Sequence, residues 1–494
     1  MTRAESLAAI DGATEPWDVC VIGGGATGLG SALDAAARGY RTVLVERHDF
    51  AKGTSSRSTK LIHGGVRYLR QGRIPLVLEA LRERGILYRN APHLVHPLEF
   101  IIPARTAWET PFYAAGLALY DLLAGTRGLG RSRILSKAEV MERLPGLDPK
   151  GLRHGIAYTD GQFDDARLAI ALAQTVADHG GTVLNYSTVL GLLKQNRRVS
   201  GVRIRDDETG AERDIPARVV INATGVFTDS IRRMDEPGVP PVITASQGSH
   251  VVLPPECLGG TSALMIPRTS DGRILFGIPW HGRLILGTTD HAVKEITAEP
   301  RPMDSEIDFI LSTASRFLAV PPERSQILSM YAGLRPLVNT GRARGTAALS
   351  REHTILIAPS GLVTITGGKW TTYRKMAQDT IDRAAHSAGL PPRACRTEAL
   401  PLRAPESATG PAIHPRLLCT GGEVMRAVRE EMARTVEDIL ARRTRSLLLD
   451  AAASIEAAPT VARLMAVELG RDAAWAAHQV AAYTSLARNY LPRA

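Results

Sequence analysis

Cysteine is scarce in this 494-residue chain: Cys20, Cys257, Cys395 and Cys419 are its four. They are scattered, with no C-x-x-C pair and no metal-ligand spacing. A disulfide framework is therefore excluded, no metal is expected, and a reducing compartment follows. Long hydrophobic runs are missing too. No stretch reaches the roughly 18 uninterrupted apolar residues of a membrane-spanning helix. Residues 1–15 carry acids and lack an apolar core, so they do not read as a secretory signal. Charge is not concentrated either. The net charge of +10 and pI near 9.6 are spread without a long basic run, and no nucleic-acid motif appears. No nucleic acid is expected as a partner; a mildly basic surface suits an anionic membrane or an anionic substrate. There is no internal repeat. What remains is ample: a length that supports two or three domains, and 45 glycines and 30 prolines, as in a loop-rich α/β enzyme.

Residues 17–46, WDVCVIGGGATGLGSALDAAARGYRTVLVE, organise the chain. Trp17 to Ile22 reads as a buried strand, Ala26 to Arg38 as a helix stopped by Gly39, and Arg41 to Val45 as a second strand. Between the first strand and the helix lie Gly23, Gly25 and Gly28, a G-x-G-x-x-G. Gly23 permits the tight turn, Gly25 lets the backbone approach a pyrophosphate, and Gly28 lets the helix pack on the strand. The helix N-terminus attracts the phosphates. Glu46 ends the second strand, where a carboxylate accepts hydrogen bonds from a ribose hydroxyl. The motif points to a dinucleotide without choosing between FAD and NAD.

Further along, residues 47–71 are dense in polar groups. Thr54, Ser55, Ser56, Ser58 and Thr59 supply hydroxyls. Lys60, His63, Arg67 and Tyr68 supply donors, and Gly64-Gly65 allows close approach to a flat ring. Residues 76–90 have helical periodicity. The segment 108–133 combines aromatics and an apolar run with Arg127, Arg131 and Arg133, and Arg105 stands upstream. It suits a buried amphipathic helix with a basic loop, or a helix lying on a membrane with arginines at the headgroups; Asp121 argues against a span. Asp164 and Asp165 read as caps of the helix that follows. Residues 182–207 read as strands. The strand in RVVINATGVFTD runs into Ala223-Thr224-Gly225, a second small-residue turn that favours FAD over NAD. Residues 242–291 alternate as antiparallel strands and carry His250. Gly367-Gly368 follow a strand and precede a helix; their N–H groups and Lys369 can meet negative charge. From about residue 400 the chain is helical and alanine-rich, with Glu430–Arg434 and Asp438–Arg442 spaced as i,i+4 pairs. A packing or homodimer role is expected for this tail.

The run TSSRSTKLIHGGVRYL, following an N-terminal dinucleotide motif, resembles the FAD-dependent, respiratory, quinone-linked glycerol-3-phosphate dehydrogenases of the glycine/D-amino-acid oxidase superfamily. The resemblance covers roughly residues 17–490. It includes YTDGQFDDARL, the GTTD turn at Thr288-Thr289-Asp290, YAGLRPL around Arg335, REHT at Arg351 and GGKWTTYR at Gly367. Departures are small: Tyr331-Ala332 precedes the glycine before Arg335, Glu352-His353 replaces Asp-Tyr, and Trp370 replaces Leu.

The resemblance implies an α/β chain, α+β overall. It has a Rossmann-like FAD-binding domain, an antiparallel β-sheet substrate (cap) domain and a C-terminal helical domain. The oxidoreductase part would span 16–390, with FAD-binding segments about 16–75, 150–240 and 335–390 and cap segments about 76–149 and 241–334; the helical domain would span 400–494. FAD is the implied cofactor. Its expected contacts are Gly23, Gly25, Gly28, Glu46, Thr54, Ser55, Ser56, His63, Gly64, Val189 near the adenine, Ala223, Thr224, Gly225, Gly368, Lys369 and Thr371. The implied reaction takes sn-glycerol 3-phosphate to dihydroxyacetone phosphate by hydride transfer from C2 to flavin N5, with electrons passed to a membrane quinone. Arg67, Tyr68, Arg335 and Arg351 are the expected substrate contacts, since a guanidinium fork suits a phosphate dianion. Arg335 and Lys369 would stabilise charge on the substrate oxygen and the flavin, and His250 would accept the proton. The implied location is cytoplasmic, peripheral on the inner face of the cell membrane. An oxidase that uses O2, an amine or amino-acid oxidase of the same superfamily, and a non-catalytic FAD-binding scaffold stay open as alternatives.

Overall fold

In a computed structural model of the chain, which describes residues 1–66, 69, 72–338 and 353–493, two sheets and the loops that leave them enclose one large cavity. The apolar run after Pro16 forms the strand Trp17–Ile22, central in the first sheet. Its neighbours Thr42–Val45 and Glu212–Asn222 are parallel to it, and Val363–Thr366 is parallel to the latter. Strands buried on both faces read as continuous apolar runs, as this one does. The helix Ala26–Ala37 connects the first two strands. Its alanines bring it close to the sheet, and Gly39 at φ +85 turns the chain back into Thr42–Val45.

The second sheet is antiparallel but for one pairing, and ten-stranded among the described residues. Ser329–Val338 pairs with Ile243–Leu253, which pairs in turn with Arg283–Gly287; Leu275–Trp280, Ala263–Ile266, Val95–Ala104 and His154–Phe163 follow. The strand His154–Phe163 falls in a stretch expected among the cofactor segments, yet it hydrogen-bonds into this cap sheet. Its partner is Val95–Ala104, a ten-residue strand whose pairing outweighs sequence neighbourhood.

Directly opposed residues share a face. Ser246 lies opposite Arg335, Gly248 opposite Gly333, and His250 opposite both Tyr331 and Gly287. Gly287 in turn lies opposite Phe276, and Phe276 opposite Met265. Arginine, histidine and an apolar stretch therefore occupy one face of one sheet.

The C-terminal helices Gly421–Glu430, Ala451–Leu469 and Ala473–Ala487 complete the core beneath that face. Val436, Leu440, Leu448 and Tyr483 join Val252, Trp280, Ile285 and Tyr331 in one apolar cluster. The expected Glu430–Arg434 pair does not form, because the helix ends at Glu430 and Arg434 turns to Glu208 at 2.6 Å. Asp438 and Arg442 do pair at 2.7 Å, in a π-helical turn, Asp438–Arg443. No helix among the described residues is long and apolar enough to cross a membrane.

Candidate active site

The cavity, of about 560 Å³, runs from Glu46 and Val189 past the glycine-rich turn to His250 and Arg335. That volume is in the range of small-molecule and cofactor sites. At the first end, Gly23 sits at φ +112, and a Cβ on Gly28 would stand 1.8 Å from the Gly23 carbonyl oxygen. Gly28 therefore backs the turn by close helix packing and does not line the cavity. Gly25 caps the helix without a side chain, and Ala26 N–H donates to Ser55 Oγ at 2.9 Å. Glu46 accepts Gly24 N–H at 2.6 Å and His48 N–H at 2.8 Å. Burial pushes its carboxyl up, and those two N–H groups pull it back. Each oxygen keeps a second lone pair for a ribose hydroxyl. Ala223, Thr224 and Gly225 line the same end, and Thr224 is held by donating to Asn222 Oδ1 at 2.7 Å.

The middle of the cavity is built by the hydroxyl-rich loop and the second glycine turn. Thr54 Oγ1 donates to Leu334 O at 2.6 Å, which ties the loop to the cap strand. His63, Gly367, Gly368, Lys369 and Thr371 line the wall. His63 N–H donates to Thr371 Oγ1 at 3.3 Å. Gly367 and Gly368 take φ +79 and +77, which a side chain resists. Trp370 donates from Nε1 to Ser55 O at 2.9 Å, so its indole fastens the second turn to the first loop, a bond leucine could not make. Two expected contacts stand behind the wall. Ser56 is buried, and its hydroxyl turns to Gly53 O at 3.5 Å. Gly64 donates its N–H to Tyr120 Oη at 2.9 Å, and Tyr120 donates to Asp160 at 2.8 Å. An apolar wall of Leu61, Phe100, Tyr158, Met265 and Phe276 faces the same space.

At the far end, Arg335 lies across Gly248, where a Cβ would collide with its guanidinium. It donates to Thr288 Oγ1 and Thr289 O at 3.1 Å each, with the Asp290 carboxylate 3.7 Å away. Asp290 is held by the Ser246 hydroxyl. His250 is 2 % exposed and stacks on Tyr331, centroids 4.6 Å apart. Burial, with Lys60 and Arg335 nearby, holds its imidazole well below the usual histidine range, so it is neutral. Arg67, Tyr68 and Arg351 lie outside the described residues.

A buried charge cluster beneath this end escaped the motif reading. Lys60 Nζ donates to Asp165 at 2.7 Å and to Ser56 O at 2.8 Å; Arg445 donates to the same two groups at 2.8 Å each. Burial brings the Lys60 ammonium down to about 7, against the pull of Asp165. Asp164 is the helix N-cap, accepting from Ala166 and Arg167 N–H, but Asp165 is the anchor of this cluster. Only the adjacency of Lys60 to the loop and of Asp165 to the cap hinted at it. The partner Arg445 comes from the helical tail, where packing alone was expected.

Comparison with known proteins agrees with this geometry. The family model described as FAD dependent oxidoreductase matches residues 18–374. That of the C-terminal domain of alpha-glycerophosphate oxidase matches residues 365–476. The mitochondrial glycerol-3-phosphate dehydrogenase of Mesocricetus auratus is 40% identical, over 92% of this chain and 71% of its own length. That of Arabidopsis thaliana is 47% identical over 79% of this chain and 64% of its own length. The solved glycerol-3-phosphate dehydrogenase of Bacillus halodurans, complexed with FAD, superposes with a TM-score of 0.78 at 26% identity, covering 99% of this chain and 97% of that one. FAD is the cofactor. The residues present fit it: a side-chain-free helix start for phosphates, a buried carboxylate for ribose, and an apolar wall beside paired glycines for a flat ring.

Proposed function

We propose that this chain, which belongs to the family of FAD-dependent glycerol-3-phosphate dehydrogenases, oxidises sn-glycerol 3-phosphate at C2 to dihydroxyacetone phosphate and passes the electrons to a membrane quinone. One observation carries the reading. Arg335 and His250 share a face of the cap sheet over a cavity that Gly367, Gly368 and Lys369 also line. Bound FAD supplies the hydride acceptor, N5, and stores the electron pair. The chain's own residues do the rest. Arg335, fixed by Thr288 and Thr289, orients the substrate and stabilises charge developing on the C2 oxygen. Lys369, which lines the same cavity, offsets negative charge on the flavin side. Arg67, Tyr68 and Arg351 are the proposed phosphate contacts by motif. An arginine stays protonated and is a poor base; neutral His250 is the proposed proton acceptor.

The quinone and a peripheral position on the inner membrane face draw support from the helix Glu109–Ala124. Leu119 and Leu122 are exposed on it, Phe112 is half-exposed, Trp108 stands at its start, and the exposed Arg127, Arg131 and Arg133 follow. Aromatic and aliphatic groups flanked by arginines match a lipid interface. The acceptor is tested with purified holoprotein and sn-glycerol 3-phosphate. A short-chain quinone is expected to be reduced as dihydroxyacetone phosphate accumulates, while an oxygen electrode stays flat. Stoichiometric oxygen uptake with peroxide would instead make the protein an oxidase.

A further inference from the structure

His250 lines the cavity, but its ring nitrogens are poorly placed to meet a substrate directly. The ring is clamped: Tyr331 stacks on one side with planes 12° apart, and on the other a Cβ at Gly287 would stand 2.2 Å from His250 Cδ2. Nδ1 is buried without a hydrogen-bond partner among the described residues. The ring's other nitrogen, Nε2, lies 3.0 Å from Thr59 Oγ1. Thr59 is half-buried and lines the cavity. Whatever proton His250 exchanges with the cavity thus has one hydroxyl in its way.

That hydroxyl is held firmly. On one side of it, Ser58 donates from N and Oγ to Asp165 Oδ2 at 3.0 and 2.7 Å, and Tyr331 Oη donates to Ser58 O at 3.1 Å. On the other, Lys60 N–H donates to Ser58 Oγ at 3.0 Å, and Lys60 Nζ is fixed by Asp165. The loop is wrapped around Asp165 and leaves Thr59 pointing at the imidazole. The charged groups near the ring are Lys60, beneath Tyr331 at 5.2 Å from its centroid, and Arg335 on the same sheet face. Arg335 stays cationic and Lys60 is cationic when protonated; both disfavour an imidazolium, so a proton that arrives is not stored there.

We propose that Thr59 is a further catalytic residue, its hydroxyl relaying the proton of the substrate's C2 hydroxyl to His250. This rests on the reading of His250 as proton acceptor. The C2–H bond breaks, and the hydrogen leaves with the electron pair as hydride for bound FAD, the oxidant. The O–H bond at C2 breaks, and its pair closes the C=O bond of the ketone. That proton bonds to Thr59 Oγ1 as the proton already on Oγ1 leaves for His250 Nε2. The imidazole starts with its proton on Nδ1 and ends as a cation, which returns its proton to solvent by the same path.

Three measurements test it. Thr59→Val is nearly isosteric and lacks the hydroxyl. It is expected to keep FAD and to bind glycerol 3-phosphate normally, seen by perturbation of the flavin spectrum, while kcat falls about a hundredfold, as for loss of a proton-transfer group. Thr59→Ser is expected to restore turnover. In unmodified protein, flavin bleaching in mixtures of H2O and D2O is expected to depend on deuterium fraction with downward curvature, because two protons move together. Wild-type turnover in Thr59→Val, or a straight-line deuterium dependence, overturns the relay. His250→Asn separates the two readings: normal turnover there would remove His250 as acceptor, and the relay with it. Loss in His250→Asn without loss in Thr59→Val would remove the relay alone.

Discussion

Arg335→Ala is expected to lower kcat/KM by between a hundredfold and a thousandfold while the protein stays yellow. One electrostatic donor in a water-excluded site is worth about that much. The arginine belongs to the cap sheet and touches Gln247, Thr288 and Thr289. Neither the glycine turns nor Glu46, the proposed dinucleotide contacts, depend on it. Loss of turnover should therefore be separable from loss of FAD, read as flavin per polypeptide. Arg335→Lys keeps the charge but not the planar guanidinium, whose Nη1 reaches Gln247 O and whose Nη2 reaches Thr288 and Thr289; its turnover is expected to fall between those of wild type and the alanine variant. Near-normal turnover of the alanine variant would take Arg335 out of the site chemistry.

Asp49→Ala carries the second large effect, on stability. Asp49 is fully buried and receives Arg442 and Arg443, the latter through both oxygens at 2.7 and 2.8 Å. These arginines come from the tail, so the carboxylate fastens the helical domain to the loop after Glu46. Removing one partner of a buried ion pair typically costs about 3–5 kcal/mol, because the other charge is left uncompensated. A lowered melting temperature and faster proteolysis around residues 400–410 are expected. Burial raises the Asp49 carboxyl, but Arg443 and Arg442 outweigh it and hold it below the usual value. With the folded value depressed, the stabilisation is complete above about pH 4, the unfolded value. It is lost as pH falls through the lower folded value. The difference in melting temperature between wild type and Asp49→Ala should shrink in acid; an unchanged melt at neutral pH would contradict the cluster's role.

The parts of the fold that local chemistry sets were legible in the sequence. Gly23, Gly25 and Gly28 act over a few residues, and the strand and helix around them follow from apolar runs and a glycine stop. The pairing of far segments left weaker traces. His250 and Arg335 could be marked as residue types, but only strand register puts them on one face, with Gly248 between them and Gly287 on the far side of His250. Thr59 read as one hydroxyl among several, since nothing local shows that His250 lies behind it. Lys60, Asp165 and Arg445 are separated by over a hundred residues each, so their charges cancel only in the folded chain. The alanine-rich tail looked like packing because periodicity reports apolar faces. It does not report that Arg442, Arg443 and Arg445 leave one tight turn toward buried aspartates distant in sequence, Asp49 and Asp165.

The proposed reaction removes hydride from C2 of glycerol 3-phosphate in this cavity. The direct measurement is anaerobic mixing of the yellow holoprotein with sn-glycerol 3-phosphate, unlabelled and deuterated at C2. Rapid loss of the flavin colour, slowed severalfold by deuterium at C2, is the expected result. A flavin that stays yellow, or bleaches at the same rate with either substrate when bond cleavage limits the step, would contradict it.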